Sequence, residues 1–231
     1  MPTAWYPQEK EKLTKLIDEL MNAPAKKQKV NGLIVPHAGY EFSGKIAGKA
    51  FAMLKNSKKT KAIVIGPSHY TGFEGVRALK EIETPLGKIN IIKNNFKTLD
   101  YEHSVDNEIP FLQRLGFKEI LPLVTGEISK EKAKEIALEI SKIKDAVFIF
   151  STDLSHFMQY DKAVDKDRKT IRAIENCEKC EDIDACGKSA LIILMELCKL
   201  KKYKPELIEY KNSGDITGDK TSVVGYSSFY F

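Results

Sequence analysis

Three runs of β-forming residues each break off into a Gly-, Pro- or Ser-rich turn that carries a histidine. Leu33-Ile34-Val35 runs into Pro36-His37-Ala38-Gly39, Ala62 to Ile65 runs into Gly66-Pro67-Ser68-His69, and Val147 to Phe150 runs into Ser151-Thr152-Asp153-Leu154-Ser155-His156. Between these runs lie stretches with apolar residues at helical spacing. Such alternation is the pattern of a parallel sheet covered by helices on both faces. The expected fold is therefore α/β, a three-layer αβα sandwich with a mainly parallel central sheet. In open α/β proteins the C-terminal strand exits build the site, so the three turns, far apart in sequence, are expected to converge on one crevice.

Residues 8 to 22 read as an amphipathic opening helix with Leu13, Leu16, Ile17 and Leu20 on one face, and residues 23 to 29 as a connector. Ser43 is the expected start of a helix carrying Ile46, Ala47, Ala50, Phe51 and Leu54. Thr84-Pro85-Leu86-Gly87 punctuates two extended runs between residues 76 and 92, which predicts a β-hairpin excursion from the main sheet. A helix is expected from about Val105 to Leu115 and a strand over 119–124; Ser129 should cap a helix whose Ala133, Ile136, Ala137, Ile140 and Ile143 form a buried stripe. Strand 146–150, a charged helix over 160–175, a cysteine-bearing helical region to Leu200, strand 206–210, a loop over 212–221 and strand 222–230 complete the expected order. No internal repeat or interdomain linker is visible, so residues 1–231 read as a single domain.

Charge narrows the function classes. The net charge of +5 comes from 37 basic and 32 acidic residues mixed throughout, with no aromatic-rich basic stripe, so no nucleic-acid partner is expected. The Lys/Glu-rich balance leans toward a heat-adapted protein. There is no signal-type apolar segment after Met1, and the apolar stretch Ala190–Leu197 is interrupted by Glu196; a cytoplasmic protein without a membrane span is expected. The cysteines at 177, 180, 186 and 198 include Cys177-x-x-Cys180, which has the spacing of half a zinc site or a redox pair but no completing partner nearby. They read mainly as reduced or packing cysteines, with a local disulfide as the alternative.

His37 and His69 occupy equivalent strand exits, where neutral imidazoles bind first-row metals well; each could instead close a turn by bonding backbone. Asp153 and His156, three residues apart, suit general acid–base work, whereas an Asx turn in which Asp153 caps the next helix is the structural alternative. Glu102-His103-Ser104 precedes a helix and is either a capping segment or a third histidine at the site. Asp215 or Asp219, in the loop after strand 206–210, could complete two histidines as a 2-His-1-carboxylate set of the non-haem iron type.

Together, Pro36-His37-Ala38-Gly39-Tyr40, Gly66-Pro67-Ser68-His69, Glu102-His103-Ser104, Ser151-Thr152-Asp153-Leu154-Ser155-His156, Asp184-Ala185-Cys186-Gly187 and Ser213-Gly214-Asp215 with Ser222-Val223-Val224-Gly225-Tyr226 resemble the Memo-like family (mediator of ErbB-driven cell motility), essentially end to end. That family looks related to class III extradiol ring-cleaving dioxygenases. The resemblance implies His37, His69 and Asp215 as metal ligands, with His156 and His103 as proton-transfer groups and Asp153 beside them. Animal members place a cysteine where Asp215 stands here. A carboxylate at that position favours iron or another harder divalent ion, with copper or zinc the alternatives.

The expectation is a metal-binding protein of the non-haem iron type, a redox enzyme with a dioxygenase-like site acting on a small molecule. Two alternatives share the pocket: a non-catalytic adaptor that recognises a peptide or small ligand, and a divalent-metal hydrolase. The resemblance also implies a functional link to radical-SAM and AMMECR-like proteins.

Overall fold

The computed structural model describes residues 5–24, 29–177 and 183–231. The first half of the chain runs α1 (Lys10–Leu20), β1 (Gly32–Val35), α2 (Gly44–Ala52), β2 (Lys61–Pro67), β3 (Val76–Leu79), β4 (Glu83–Thr84), β5 (Gly87–Lys88), β6 (Asn90–Ile91) and β7 (Lys97–Leu99). It continues with α3 (His103–Asp106), α4 (Ile109–Arg114), β8 (Glu119–Thr125), α5 (Lys130–Ile140) and β9 (Ala146–Ser151). The last part comprises α6 (Tyr160–Asn176), α7 (Lys188–Lys201), β10 (Glu206–Asn212), α8 (Ser213–Thr217) and β11 (Gly225–Tyr230).

The main sheet has the order β10-β11-β1-β9-β2-β8-β3-β7, with β6 also paired to β8. Its centre, β1-β9-β2-β8, is parallel throughout. β11 inserts antiparallel between β1 and β10, so β10 runs in the same direction as β1. The three histidine-bearing strands β1, β9 and β2 are therefore adjacent, and their C-terminal ends open on one edge.

Successive strand residues point to opposite faces. Leu33, Val35, Val64 and Ile149 pack with Leu13 and Ile17 of α1, Phe51 of α2 and Phe111 of α4. Ile34, Ile63, Ile65 and Phe150 pack on the other face with Ile136 and Ile140 of α5, Ile174 of α6 and Leu194 of α7. This is the expected three-layer arrangement, and both faces of the central strands are dry.

Several local expectations are refined. β4 and β5 form the hairpin around Pro85-Leu86, but the flanking β3, β6 and β7 extend the main sheet rather than leaving it. The helix expected over 105–115 divides at Asn107-Glu108 into α3 and α4, with Pro110 in the first turn of α4, where it costs no hydrogen bond. Ser129 caps α5 by accepting from Lys132 N–H. Ser43 does not cap α2; its hydroxyl donates to Ala38 C=O at 2.9 Å and so fixes the His37 turn instead. No helix among the described residues is long and apolar enough to cross a membrane.

Candidate metal centre

The exits of β1 and β2 bring the rings of His37 and His69 to 5.1 Å centroid to centroid. His103, at the start of α3, joins them at 5.5 Å from His37 and 4.4 Å from His69. A glycine makes this possible: a Cβ on Gly66 would stand 2.4 Å from Ser104 Oγ, so only glycine lets α3 lie against the β2 exit. Ser104 Oγ donates to Pro67 C=O at 2.7 Å and holds the two segments together.

The His69 and His37 rings are each oriented by a buried acceptor. Glu102 takes His69 N–H on Oε2 at 2.7 Å, and its Oε1 lies 3.1 Å from His69 Nδ1 and 3.0 Å from His103 Nδ1. Burial works against the charge on Glu102, yet the His103 and His69 rings and the His69 amide hold its carboxyl well below the usual range. His37 Nδ1 lies 2.8 Å from Ser151 Oγ, whose hydroxyl donates to Glu108 Oε1 at 2.9 Å. Because Ser151 spends its proton on Glu108, it accepts from His37, which places the His37 proton on Nδ1 and leaves the Nε2 lone pair directed outward. Burial, reinforced by His69 and His103, pushes the His37 pKa well down, so the ring is a neutral donor. Burial pushes Glu108 well up.

The atom facing His37 Nε2 is the sulfur of Cys186, at 3.3 Å. Cys186 lies just before α7, and Gly187 admits it: a Cβ there would stand 2.6 Å from Thr152 Cβ and 2.8 Å from Ser151 C=O. Gly187 N–H donates to Thr152 Oγ1 at 2.9 Å, tying the loop to the β9 exit. Burial, with Asp153 nearby, pushes the Cys186 thiol up to about 12. His37, His69 and Cys186 form one group whose donor atoms all lie within 4.8 Å of one another, and His69, Glu102 and His103 form another. A cavity of about 460 Å3, walled by Cys186, Ser68, Thr71, Phe73, Thr125 and Ser189, opens beside the sulfur.

Asp153 is buried and accepts His37 N–H on Oδ1 at 2.9 Å; it braces the first histidine turn instead of capping a helix of its own. Burial raises its pKa to about 7, against the pull of that hydrogen bond. His156 is half-buried, its pKa lowered by burial, and it sits near enough to His37 and His69 for their charges to be felt.

Asp215 is the departure. The loop after β10 does reach the same rim, but Asp215 is exposed and falls in neither donor group. Its Oδ2 accepts Asn212 N–H at 3.0 Å while Asn212 Oδ1 accepts Asp215 N–H at 3.1 Å, a reciprocal cap that starts α8; Oδ1 takes the Tyr160 hydroxyl at 2.7 Å. Local capping holds the carboxylate, and the donor grouped with His37 and His69 is Cys186. Of the other cysteines, Cys177 and Cys198 are free, and Cys180 lies outside the described residues.

Sequence comparison agrees with the end-to-end motif reading. A family model described as "Memo-like protein" matches residues 2–230. Relatives named "MEMO1 family protein" include one from Aquifex aeolicus, 34% identical over 98% of this chain and 96% of its own length. Another, from Sulfurisphaera tokodaii, is 32% identical over 99% of this chain and 96% of its own length. One from Methanococcoides burtonii is 36% identical over 86% of this chain and 85% of its own length.

Proposed function

The chain belongs to the Memo-like protein family, and on that premise we propose that His37, His69 and Cys186 hold one first-row transition-metal ion serving the oxidation of a small molecule. The observation that carries this reading is the 3.3 Å approach of Cys186 Sγ to His37 Nε2, with His69 packed against the same ring. Metal bonds of about 2.0 Å to nitrogen and about 2.3 Å to sulfur span donor separations of up to roughly 4.3 Å, and the 3.3 Å between His37 Nε2 and Cys186 Sγ lies within that reach. Two imidazoles and a thiolate favour iron, zinc or copper over hard ions such as magnesium or calcium. Bound there, such an ion would supply Lewis acidity and, for iron or copper, a redox couple.

The remaining roles belong to the chain itself. Glu102 and the Ser151–Glu108 pair fix the proton positions and tilts of His69 and His37, which preorganises the donors. Asp153 holds the first turn from the β9 side. His156, half-buried and close enough to the His69 and His37 rings to feel their charge, accepts or returns a proton at a substrate hydroxyl.

Elemental analysis of protein purified without chelators tests the reading, followed by oxygen-uptake assays after reconstitution with ferrous iron. The expected result is about one equivalent of metal, lost in His37→Ala, His69→Ala and Cys186→Ser. Full metal content in both histidine variants would refute the centre and favour a metal-independent binding module. Turnover without oxygen uptake would instead support hydrolysis.

A further inference from the structure

A second cavity, of about 850 Å3, adjoins the centre through Trp5 and contains none of the proposed ligands or the residues given roles above. The two share Trp5, which lines this cavity and stacks on His103 with ring centroids 4.3 Å apart and planes inclined by 10°. Tyr6 and Tyr101 add further aromatic wall, and Tyr70, 5.8 Å from Tyr101, continues it to the surface. Both outer tyrosines are exposed, Tyr70 by 51% and Tyr101 by 44%.

The charge in this wall runs against that of the molecule. The chain carries a net +5, yet the cavity presents Glu81, Glu83, Asp100 and Asp106 against the single ammonium of Lys88. Three of these carboxylates have cations: Lys88 lies 3.7 Å from Glu81 and 3.5 Å from Glu83, and Lys80 lies 2.5 Å from Asp100. Asp106 differs. It is mostly buried, accepts the Tyr6 hydroxyl at 2.6 Å, and makes no ion pair among the described residues. Burial accordingly raises its pKa, the mark of a carboxylate whose charge is left uncompensated.

An inward carboxylate without a cation, set among aromatic faces in a cavity of ligand size, is the combination that recognises organic ammonium groups. The carboxylate supplies the counter-charge and the ring faces supply cation–π attraction, with anions disfavoured by the local field. We propose that the cavity walled by Trp5, Tyr6, Tyr101 and Asp106 is a binding site for a small organic ammonium compound, placed so that its occupant touches the Trp5 ring that stacks on His103. Metal at the neighbouring centre is not required for this binding.

Trp5 is the sole tryptophan of the chain, so its fluorescence reports on the cavity directly. Choline is the probe, with 3,3-dimethylbutan-1-ol, of the same shape but uncharged, as the comparison; both are titrated into metal-free protein, with calorimetry in parallel. The expected result is saturable perturbation of Trp5 emission by choline, bound at least about tenfold more tightly than the alcohol. Asp106→Asn should reduce that preference to within about twofold, and Tyr101→Leu, which leaves the Tyr6–Asp106 bond intact, should weaken choline by about threefold to thirtyfold. Equal binding of the alcohol, no saturable response to choline, or full preference retained in the folded variants would each overturn the proposal. A metal-binding failure would leave these outcomes unchanged, because the titration is made without metal.

Discussion

Replacing Ser151 by alanine isolates the buried chain that sets the His37 proton. The hydroxyl receives His37 Nδ1 at 2.8 Å and donates to Glu108 Oε1 at 2.9 Å, and Glu108 Oε2 already has no hydrogen-bond partner among the described residues. Alanine removes no bulk that its neighbours could not tolerate, but it strands two polar groups where water does not reach. Leaving a buried donor or acceptor unmet costs about 1–3 kcal/mol, so the combined loss for the two groups should be about 2–6 kcal/mol. For a chain of this length that corresponds to a fall in Tm of about 4–24 °C in metal-free protein. The second effect is on metal. With no acceptor at Nδ1, the imidazole can place its proton on Nε2, the atom facing Cys186, and it becomes a poorer and less oriented donor. Loss of such an outer partner typically weakens metal affinity by about 10- to 100-fold. Competition against a chelator of known affinity measures the second effect and circular dichroism the first. Ser151→Ala with unchanged metal affinity and a native fold would refute the assignment of His37 Nε2 as a donor held in place by Ser151 and Glu108.

Asp215→Ala should leave metal content unchanged while lowering stability by about 1 kcal/mol, because that carboxylate caps α8 and takes the Tyr160 hydroxyl; loss of metal in this variant would restore Asp215 as a ligand. Gly187→Ala should cost about 1–3 kcal/mol and reduce metal occupancy, since the new Cβ must push the Cys186 loop off Thr152 and Ser151; a thermal melt and elemental analysis check both. Asp167 is buried against Ser155 N–H and the Tyr210 hydroxyl, and burial raises its pKa above the unfolded value. Its contribution is therefore fully present below about pH 4 and is lost as pH rises through the folded pKa. Asp167→Asn should accordingly be more stable than wild type at pH 7, with the difference closing toward pH 4 in denaturant titrations.

The layers were legible because the central strands are apolar on both faces and end abruptly at Pro, Gly and Ser. Those same endings exposed His37 and His69, since a polar side chain directly after a buried strand has only the rim to occupy. The place of Cys186 beside His37 was not legible because it reaches the rim from a loop before α7 and not from a strand exit. Its signal was the neighbouring Gly187, which has no Cβ to collide with Thr152. The capping role of Asp215 went unread for the converse reason: strand β10 places it near the rim, but the Asn212-x-x-Asp215 spacing is that of a reciprocal cap, and short-range hydrogen bonds hold its carboxylate. Glu102 and Glu108 lay beyond sequence reasoning, since what makes each an acceptor for a histidine is burial created by distant packing. Ser43 was assigned to a cap by type, whereas the tight turn after His37 claimed its hydroxyl first.

X-ray absorption at the edge of whatever metal co-purifies tests the central claim most directly, because it counts sulfur and imidazole neighbours together. The account predicts one sulfur at about 2.3 Å with at least two imidazole nitrogens at about 2.0–2.1 Å, the sulfur shell vanishing in Cys186→Ser. A first shell of oxygen and nitrogen only, identical in wild type and Cys186→Ser, would contradict it.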